Sequence, residues 1–131
     1  SSTVLKVLHI EDNPESRMVI GSALGRIENV ALDVAFDLDS GFAAAVLNRP
    51  DLILLDRHLP DGDGIESISR LMALGDEHHQ VRVAIVSADA EPDSRERAMR
   101  AGAAAYFVKP VRLADIITYV NEQARHHRGI A

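Results

Sequence analysis

The sequence predicts an α/β fold, a doubly wound five-stranded parallel sheet with helices on both faces. The first observation is an uninterrupted run of Leu and Ile at residues 52–55, which is typical of a central strand that helices cover on both sides. The second is a strict alternation of strand-like and helix-like segments, which favours parallel strands joined by right-handed crossovers. The third is that acidic, hydroxyl and lysine side chains follow the predicted strands, where open α/β sheets bind ligands.

The predicted strands are short segments rich in leucine and β-branched residues, which favour extended structure. After the central strand, the turn-forming residues 57–64 indicate that the chain leaves the sheet at once. The predicted strands span residues 4–10, 31–36, 51–56, 81–86 and 103–108.

The predicted helices have recognisable ends and apolar stripes. Asn13 suits the N-cap of the first helix and Pro14 its first position. Asp63 begins the third helix, with Glu66 at capping-box spacing, and Gly102 ends the fourth. The residues expected to face the core are Ile20, Ala23, Leu24 and Ile27, then Leu38, Phe42, Ala45 and Val46, then Ile65, Ile68, Leu71 and Met72, and finally Leu113, Ile116, Ile117, Val120 and Ala124.

The composition is that of one folded domain over residues 1–131, with a core of about residues 4–125. A net charge of −6 and a pI near 5.4 lack the basic footprint of a nucleic-acid binder. The chain has no cysteine, and no apolar run approaches the roughly 18 residues of a membrane span. Ser1-Ser2-Thr3 does not resemble the start of a signal peptide. We therefore expect a cytoplasmic domain that contacts neither membrane nor nucleic acid directly.

Five polar side chains follow four of the predicted strands. Glu11 and Asp12 follow the first strand, and Asp56 ends the third. Ser87 follows the fourth strand, and Lys109 follows the fifth. Because the carboxyl ends of parallel strands lie at one edge of a sheet, these side chains meet in one crevice if the four strands are neighbours.

The three acids of this crevice require a positive partner. Two carboxylates about 5 Å apart repel by roughly 3 kcal/mol at an effective dielectric constant near 20, and Lys109 alone cannot offset three charges. A divalent cation can, and oxygen ligands without cysteine favour Mg²⁺, with Mn²⁺ as an alternative. Asp56 can then act as a nucleophile toward a phosphoryl group whose oxygens the cation and Lys109 hold, while Ser87 donates a hydrogen bond.

These residues, together with Leu59-Pro60, Asp63-Gly64 and Lys109-Pro110, resemble the receiver domain of two-component response regulators. The resemblance covers nearly the whole chain. It implies a flavodoxin-like (βα)5 fold with the strand order 2-1-3-4-5. Arg57 departs from the family pattern, because apolar residues are frequent after the phosphoacceptor, and Gly62 replaces a usual large apolar residue.

The resemblance implies a role for each matching residue on the acidic side of the crevice. Asp56 matches the phosphoacceptor, and Glu11 and Asp12 match the acids that bind the metal with it. His58 matches the position whose backbone carbonyl is a further metal ligand. These matches imply a protein that phosphorylates and dephosphorylates itself without turning over an external substrate.

The resemblance also implies a conformational switch. Ser87 matches the switch hydroxyl, Tyr106 the switch aromatic and Lys109 the phosphate-contacting lysine, and Pro110 matches a proline with a cis peptide bond. Phosphorylation is expected to draw Ser87 toward the phosphoryl oxygens, so that Tyr106 exchanges an exposed rotamer for a buried one. The surface of helix four, strand five and helix five should change most.

The implied partners are a histidine kinase or a histidine phosphotransfer domain as the phosphoryl donor, and a downstream protein that contacts the switch surface. Residues 98–113 are also similar to the receivers at the carboxyl end of hybrid sensor kinases.

Two other functions remain as alternatives. A protein-binding module that kept the fold would show no Mg²⁺-dependent response, and a metal-dependent phosphatase would turn over a generic phosphoester. Taken singly, the polar residues also have ordinary explanations, such as Glu11-Asp12 capping the first helix. The histidine pairs His78-His79 and His126-His127 have no surrounding ligand cluster in the sequence and are expected to be exposed.

Overall fold

The computed structural model describes residues 3–129. The two ends of the predicted domain, residues 1 and 131, therefore lie outside the described residues. The strands are β1 (Leu5–Ile10), β2 (Val30–Ala35), β3 (Leu52–Asp56), β4 (His58–Leu59), β5 (Gly62–Asp63), β6 (Arg82–Ser87) and β7 (Ala105–Val108). The helices are α1 (Pro14–Leu24), α2 (Leu38–Asn48), α3 (Gly64–Met72), α4 (Pro92–Arg100) and α5 (Leu113–His127). Within residues 3–129, no helix is both long and apolar enough to span a bilayer.

Five strands form one parallel sheet in the order β2-β1-β3-β6-β7. Since β6 and β7 are the fourth and fifth strands of this sheet, the order is the predicted 2-1-3-4-5, and the doubly wound flavodoxin-like fold is confirmed. The central strand β3 is buried at every residue, as its continuous apolar run predicts.

Two hydrophobic cores lie on opposite faces of the sheet, because successive side chains of a strand point in opposite directions. On one face, Leu8 and Ile53 pack with apolar residues of α2, α3 and α4. On the other face, Val7 and Leu54 pack with apolar residues of α1 and α5. The crossover helices therefore cover both faces of the sheet and leave its carboxyl edge for polar side chains.

A short antiparallel hairpin, β4–β5, follows the central strand, and it was not predicted. His58 pairs with Asp63, and Leu59 pairs with Gly62. The sequence pattern showed turn formers here and predicted only that the chain leaves the main sheet. Gly62 has φ +156°, a backbone conformation that favours glycine and permits the tight return.

The predicted apolar stripe of α2 is wrong at one position. Val46 is 57% exposed, whereas the buried residues of α2 are Gly41 and Ala45. The helix approaches the sheet so closely that a Cβ on Gly41 would lie 2.5 Å from Cδ1 of Ile10. Because close contact is made by small residues one turn apart, the larger Val46 lies on the outer side.

The expectation that both histidine pairs are exposed is also wrong. His78 is exposed, but His79 is half-buried, and its Nε2 lies 3.0 Å from Oδ1 of Asp51. His127 is also half-buried, with Nε2 3.9 Å from the other carboxylate oxygen of Asp51. The chain brings these residues together because Asp51 precedes β3 at the edge of the sheet where α5 ends.

His9 is a polar residue next to the carboxyl end of β1. Its side chain is fully buried, and neither ring nitrogen has a hydrogen-bond partner among the described residues. Burial lowers the pKa of His9 from 6.5 to about 4, because the apolar surroundings disfavour the charged ring. Lys109 and Arg17 lower the pKa further, while Glu11 opposes them.

We predict that His9 makes the fold sensitive to mild acid. The unfolded chain binds a proton near pH 6.5 and the folded chain only near pH 4, so stability falls as the pH drops through this window. At pH 5 the loss amounts to about 2 kcal/mol. The free energy of unfolding, measured with urea, should differ less between pH 7 and pH 5 for His9→Met than for the wild type.

His78→Ala changes an exposed histidine and is the control, so its free energy of unfolding should fall between pH 7 and pH 5 as much as that of the wild type. If His9→Met loses as much stability as the wild type over this range, the prediction is contradicted.

Candidate functional site

The site lies at the carboxyl edge of the sheet. Backbone hydrogen bonds between neighbouring strands align the predicted site residues along this edge. The backbone N–H of Arg57, next to Asp56, donates to the carbonyl of Val86 at 3.3 Å. The backbone N–H of Lys109 donates to the carbonyl of Ser87 at 2.8 Å. Strand pairing therefore places the ends of β3, β6 and β7 side by side, as the sequence analysis expected.

Three acids form the centre of the site. Carboxylate oxygens of Glu11, Asp12 and Asp56 all lie within 4.8 Å of one another. Glu11 is fully buried, Asp56 is 5% exposed, and Asp12 is exposed. A metal ion bound here would have carboxylate ligands from two strand ends and an open side toward solvent, which suits a hard cation that keeps several waters.

Lys109 is the cation that the structure places against these acids. Its Nζ lies 2.7 Å from Oε1 of Glu11 and 3.4 Å from Oδ1 of Asp56. The peptide bond between Lys109 and Pro110 is cis. The ammonium group thus bridges the two buried carboxylates and leaves the exposed Asp12 without this compensation.

The protonation of Glu11 is finely balanced. Burial raises the pKa of Glu11, the ion pair with Lys109 lowers it, and the neighbouring Asp56 raises it again. The net direction is upward, so this carboxyl group holds its proton to a higher pH than an ordinary glutamate. Metal binding at Glu11 therefore competes with protonation of this carboxyl group and with its contact to Lys109.

The start of α1 holds Glu11 in place. The backbone N–H of Asn13 donates to Oε2 of Glu11 at 3.3 Å, and Nη1 of Arg17 donates to the Glu11 carbonyl at 2.9 Å. Asn13 is the N-cap that the sequence predicted, because its side chain accepts from the N–H groups of Glu15 and Ser16. The helix start and the acidic site are therefore one local structure.

The start of α3 fixes the Asp56–Arg57 peptide from the opposite side. The N–H of Gly64 donates to the Arg57 carbonyl at 2.6 Å, and a Cβ on Gly64 would collide with the Asp56 carbonyl. Asp63 caps α3 through a 2.9 Å hydrogen bond from the N–H of Ile65. Only glycine fits at position 64, which explains the Asp-Gly pair shortly after the central strand.

His58, expected to offer its backbone carbonyl to a metal, begins the β4–β5 hairpin with an exposed side chain. Asp61 at the tip of this hairpin accepts hydrogen bonds from the N–H groups of Leu38 and Asp39 at 2.8 and 2.9 Å. These bonds lower the pKa of Asp61 and attach the hairpin to the start of α2. The loop after Asp56 is thereby anchored to α2 as well as to α3.

Ser87 and Tyr106 are joined through Asp89, and their arrangement differs from the expectation. The N–H of Asp89 donates to Oγ of Ser87 at 3.0 Å, and the Tyr106 hydroxyl donates to the Asp89 carbonyl at 2.6 Å. Tyr106 is only 6% exposed. In this structure the tyrosine has the buried rotamer, in which the Asp89 carbonyl accepts a hydrogen bond from its hydroxyl.

Sequence reasoning did not anticipate how Arg57 is used. The residue is 8% exposed, and its Nη1 donates to Oδ2 of Asp89 and to Oγ of Ser94, both at 2.6 Å. The signal was a charged residue directly after a buried strand, where burial demands a partner. Ser94 carries no comparable signal, since its contact depends on how α4 packs.

Comparison with known proteins first identifies the class of fold. The structure is similar to the signal receiver domain of NarL from Mycobacterium tuberculosis, with a TM-score of 0.81 and 25% identity over 93% of this chain and 97% of that one. A CheY-like receiver from Methanospirillum hungatei has a TM-score of 0.83 at 22% identity, covering 96% of this chain and 98% of its own, which shows the shared fold.

The family follows from the sequence comparison. Residues 7–121 match the response regulator receiver domain family, and the chain belongs to it. The chain is 34% identical to the KDP operon transcriptional regulatory protein of Escherichia coli over 92% of its length, and 30% identical to the transcriptional regulatory protein PrrA of M. tuberculosis over 96%. In both comparisons the match covers 52% of the relative, so the chain spans about half the length of these curated proteins.

We predict that Mg²⁺ affinity falls steeply in mild acid. Because the pKa of Glu11 is raised, protons compete with the metal at a higher pH than for ordinary carboxylates. Once Glu11 is protonated, the affinity should fall about tenfold for each pH unit. Calorimetric Mg²⁺ titrations between about pH 8 and pH 5.5 provide the measurement.

Two variants separate the causes of this pH dependence. Glu11→Gln should bind Mg²⁺ more weakly, and its affinity should depend much less on pH. Asp12→Ala should also bind Mg²⁺ more weakly, but its affinity should keep the wild-type pH dependence because Glu11 remains. A wild-type affinity that falls no more with decreasing pH than the affinity of Glu11→Gln would contradict the prediction.

Proposed function

We propose that this domain accepts a phosphoryl group on Asp56 from a phosphohistidine of a histidine kinase or histidine phosphotransfer protein. The observation that carries the proposal is the placement of Asp56 between the acids Glu11 and Asp12 and the ammonium of Lys109, in a chain of the receiver family. The same edge of the sheet carries Ser87 at the end of β6.

The chemistry follows from the contacts of Asp56. One carboxylate oxygen attacks phosphorus, the P–N bond to the donor imidazole breaks, and its electron pair leaves with the ring. Lys109, 3.4 Å from Oδ1 of Asp56, provides positive charge for the phosphoryl oxygens, and the Ser87 hydroxyl donates a hydrogen bond to one of them. Glu11, Asp12, Asp56 and the His58 carbonyl would hold Mg²⁺ or Mn²⁺, which would supply positive charge for those oxygens.

The fully buried Glu11 supports this division of roles. A nucleophile must be reachable, and Asp56 retains a small exposed fraction, whereas Glu11 has none. Lys109 pairs with both acids, so its ammonium group can remain beside Asp56 and contact the phosphoryl oxygens there. We infer a self-modifying cytoplasmic signalling domain that turns over no external substrate.

The donor is proposed to approach between α1 and the segment that follows β7. A cavity of about 300 Å³ opens there, and its lining includes Asn13, Val19, Lys109 and Pro110. Met18, which precedes Val19 in α1, is 73% exposed. An apolar rim beside the reactive edge suits a protein donor better than a small phosphoester, which supports a phosphorelay over a phosphatase.

The first test of this function is phosphorylation by a small acyl phosphate with Mg²⁺. The wild type should gain one phosphoryl mass, and Asp56→Asn should gain none, because the amide is not a nucleophile here. Asp115→Asn, which changes an exposed acid in the first turn of α5, is the matched control and should react as the wild type does. Intact-protein mass spectrometry provides the measurement.

The alternatives predict different results. Equal labelling of Asp56→Asn and wild type would exclude the assigned nucleophile. A wild type that stays unmodified with donor and Mg²⁺ would favour a phosphorylation-independent binding module, and sustained release of inorganic phosphate from generic phosphoesters would favour a phosphatase.

The output is proposed to leave through a protein contact on the surface formed by α4, β7 and α5, which we call the switch face. Ser87 and Tyr106 connect the reactive edge to this face, since both are bound to Asp89 in the loop before α4. A phosphoryl oxygen that accepts from the Ser87 hydroxyl can draw Ser87 Oγ away from the N–H of Asp89, and movement of Asp89 then alters the acceptor of Tyr106.

We predict that beryllofluoride with Mg²⁺ changes amide hydrogen exchange mainly between residues 87 and 120, apart from the loops that hold the metal. The loop before α4 should change most, because Asp89 in this loop binds both Ser87 and Tyr106. Asp56→Asn should show no such changes. Protection that changes only around Glu11, Asp12 and Asp56 would show that the switch face is wrong.

A further inference from the structure

Arg57 is a buried charge whose contacts lie away from the reactive carboxylates. Its Nη1 binds Oδ2 of Asp89 and Oγ of Ser94, and its Nε lies 3.7 Å from Oδ1 of Asp63. Asp56, its neighbour in the chain, contacts Lys109 instead. The two neighbours therefore pair with different groups, as expected for successive residues that leave an extended strand on opposite sides.

Asp89 is held near the reactive edge by its backbone and drawn toward α4 by its side chain. Its N–H donates to Ser87 and its carbonyl accepts from Tyr106, which fix its main chain two residues beyond the end of β6. Its Oδ2 also accepts from the Ser94 hydroxyl at 2.6 Å. Hydrogen bonds from Ser94 and from the N–H of Glu91, together with Arg57, lower the pKa of Asp89, so the carboxylate is charged at neutral pH.

We propose that Arg57 is a positioning residue for phosphoryl transfer, which binds the Asp89 carboxylate against α4 and compensates its charge so that it does not repel the incoming phosphoryl group. This inference rests on the proposed function of Asp56. The inference gives Arg57 a function next to the nucleophile, although its side chain pairs with Asp89 and not with the acids clustered around Asp56.

The physical reason is the charge of the reacting group. A phosphoryl group carries negative charge on its oxygens, and the site already holds three acids against one lysine. Without Arg57, the main chain of Asp89 stays bound to Ser87 and Tyr106, and an uncompensated carboxylate remains beside the reactive edge. Repulsion through water-exposed surroundings should slow the reaction about fivefold.

The test compares four proteins by their rate of phosphorylation with acetyl phosphate at saturating Mg²⁺: the wild type, Arg57→Met, Asp89→Asn and the double variant. Arg57→Met should react about fivefold more slowly, and the deficit should shrink at high salt, which screens charges. Asp89→Asn should react at least as fast as the wild type. The double variant should return to nearly the wild-type rate, because the uncompensated charge is gone.

This pattern separates positioning from simple structural support. Each single variant breaks the same ion pair, so a purely structural role would slow both, and the double variant would stay slow. Arg49→Met is the matched control, because it breaks the exposed Arg49–Asp76 ion pair at 3.0 Å and should leave the rate unchanged. Thermal unfolding checks that each variant is folded, and Arg57→Gln, which keeps a hydrogen-bond donor without the charge, replaces Arg57→Met if that variant does not fold.

The outcomes distinguish this inference from the proposed function. If the wild type reacts and Arg57→Met reacts as fast, the role of Arg57 is overturned and that of Asp56 stands. The same holds if the double variant reacts no faster than Arg57→Met. If the wild type takes up no phosphoryl group, the proposed function fails and the inference fails with it.

Discussion

The structure depends on the repulsion between two buried carboxylates and on the single ammonium group that offsets it. Glu11 and Asp56 end neighbouring strands, and Lys109 contacts both of them. Removing such charges from water costs several kcal/mol for each group unless they are paired. Lys109 is one positive group against the three clustered acids, which suits this site to a further cation.

The surrounding helices hold the two acidic segments close together. The Glu11 segment is held by the start of α1, and the peptide after Asp56 is held by Gly64 at the start of α3. The two helices lie on opposite faces of the sheet, so the acids are fixed from both sides. A site that repels itself needs this rigidity, because relaxation of either loop would separate the charges and weaken metal binding.

Much of this organisation was predictable from sequence, because it depends on local rules. The continuous apolar run before Asp56 and the Asn13-Pro14 helix start require no tertiary information. The exposed Val46, the half-buried His79 and the partners of Arg57 were not predictable, since each depends on how close two elements approach. The same holds for Tyr106, whose rotamer is decided by one carbonyl in a loop seventeen residues earlier in the chain.

The inward position of Tyr106 bears on how sharply this domain distinguishes its two states. A ligand shifts a conformational equilibrium only by its differential affinity for the two forms. Since the Asp89 carbonyl accepts from the tyrosine hydroxyl in this structure, the inward position of the ring is tied to the loop before α4. If a partner protein reads the ring of Tyr106, it therefore also reads the position of Asp89, and a shift of that one loop would change what the partner meets on both α4 and β7.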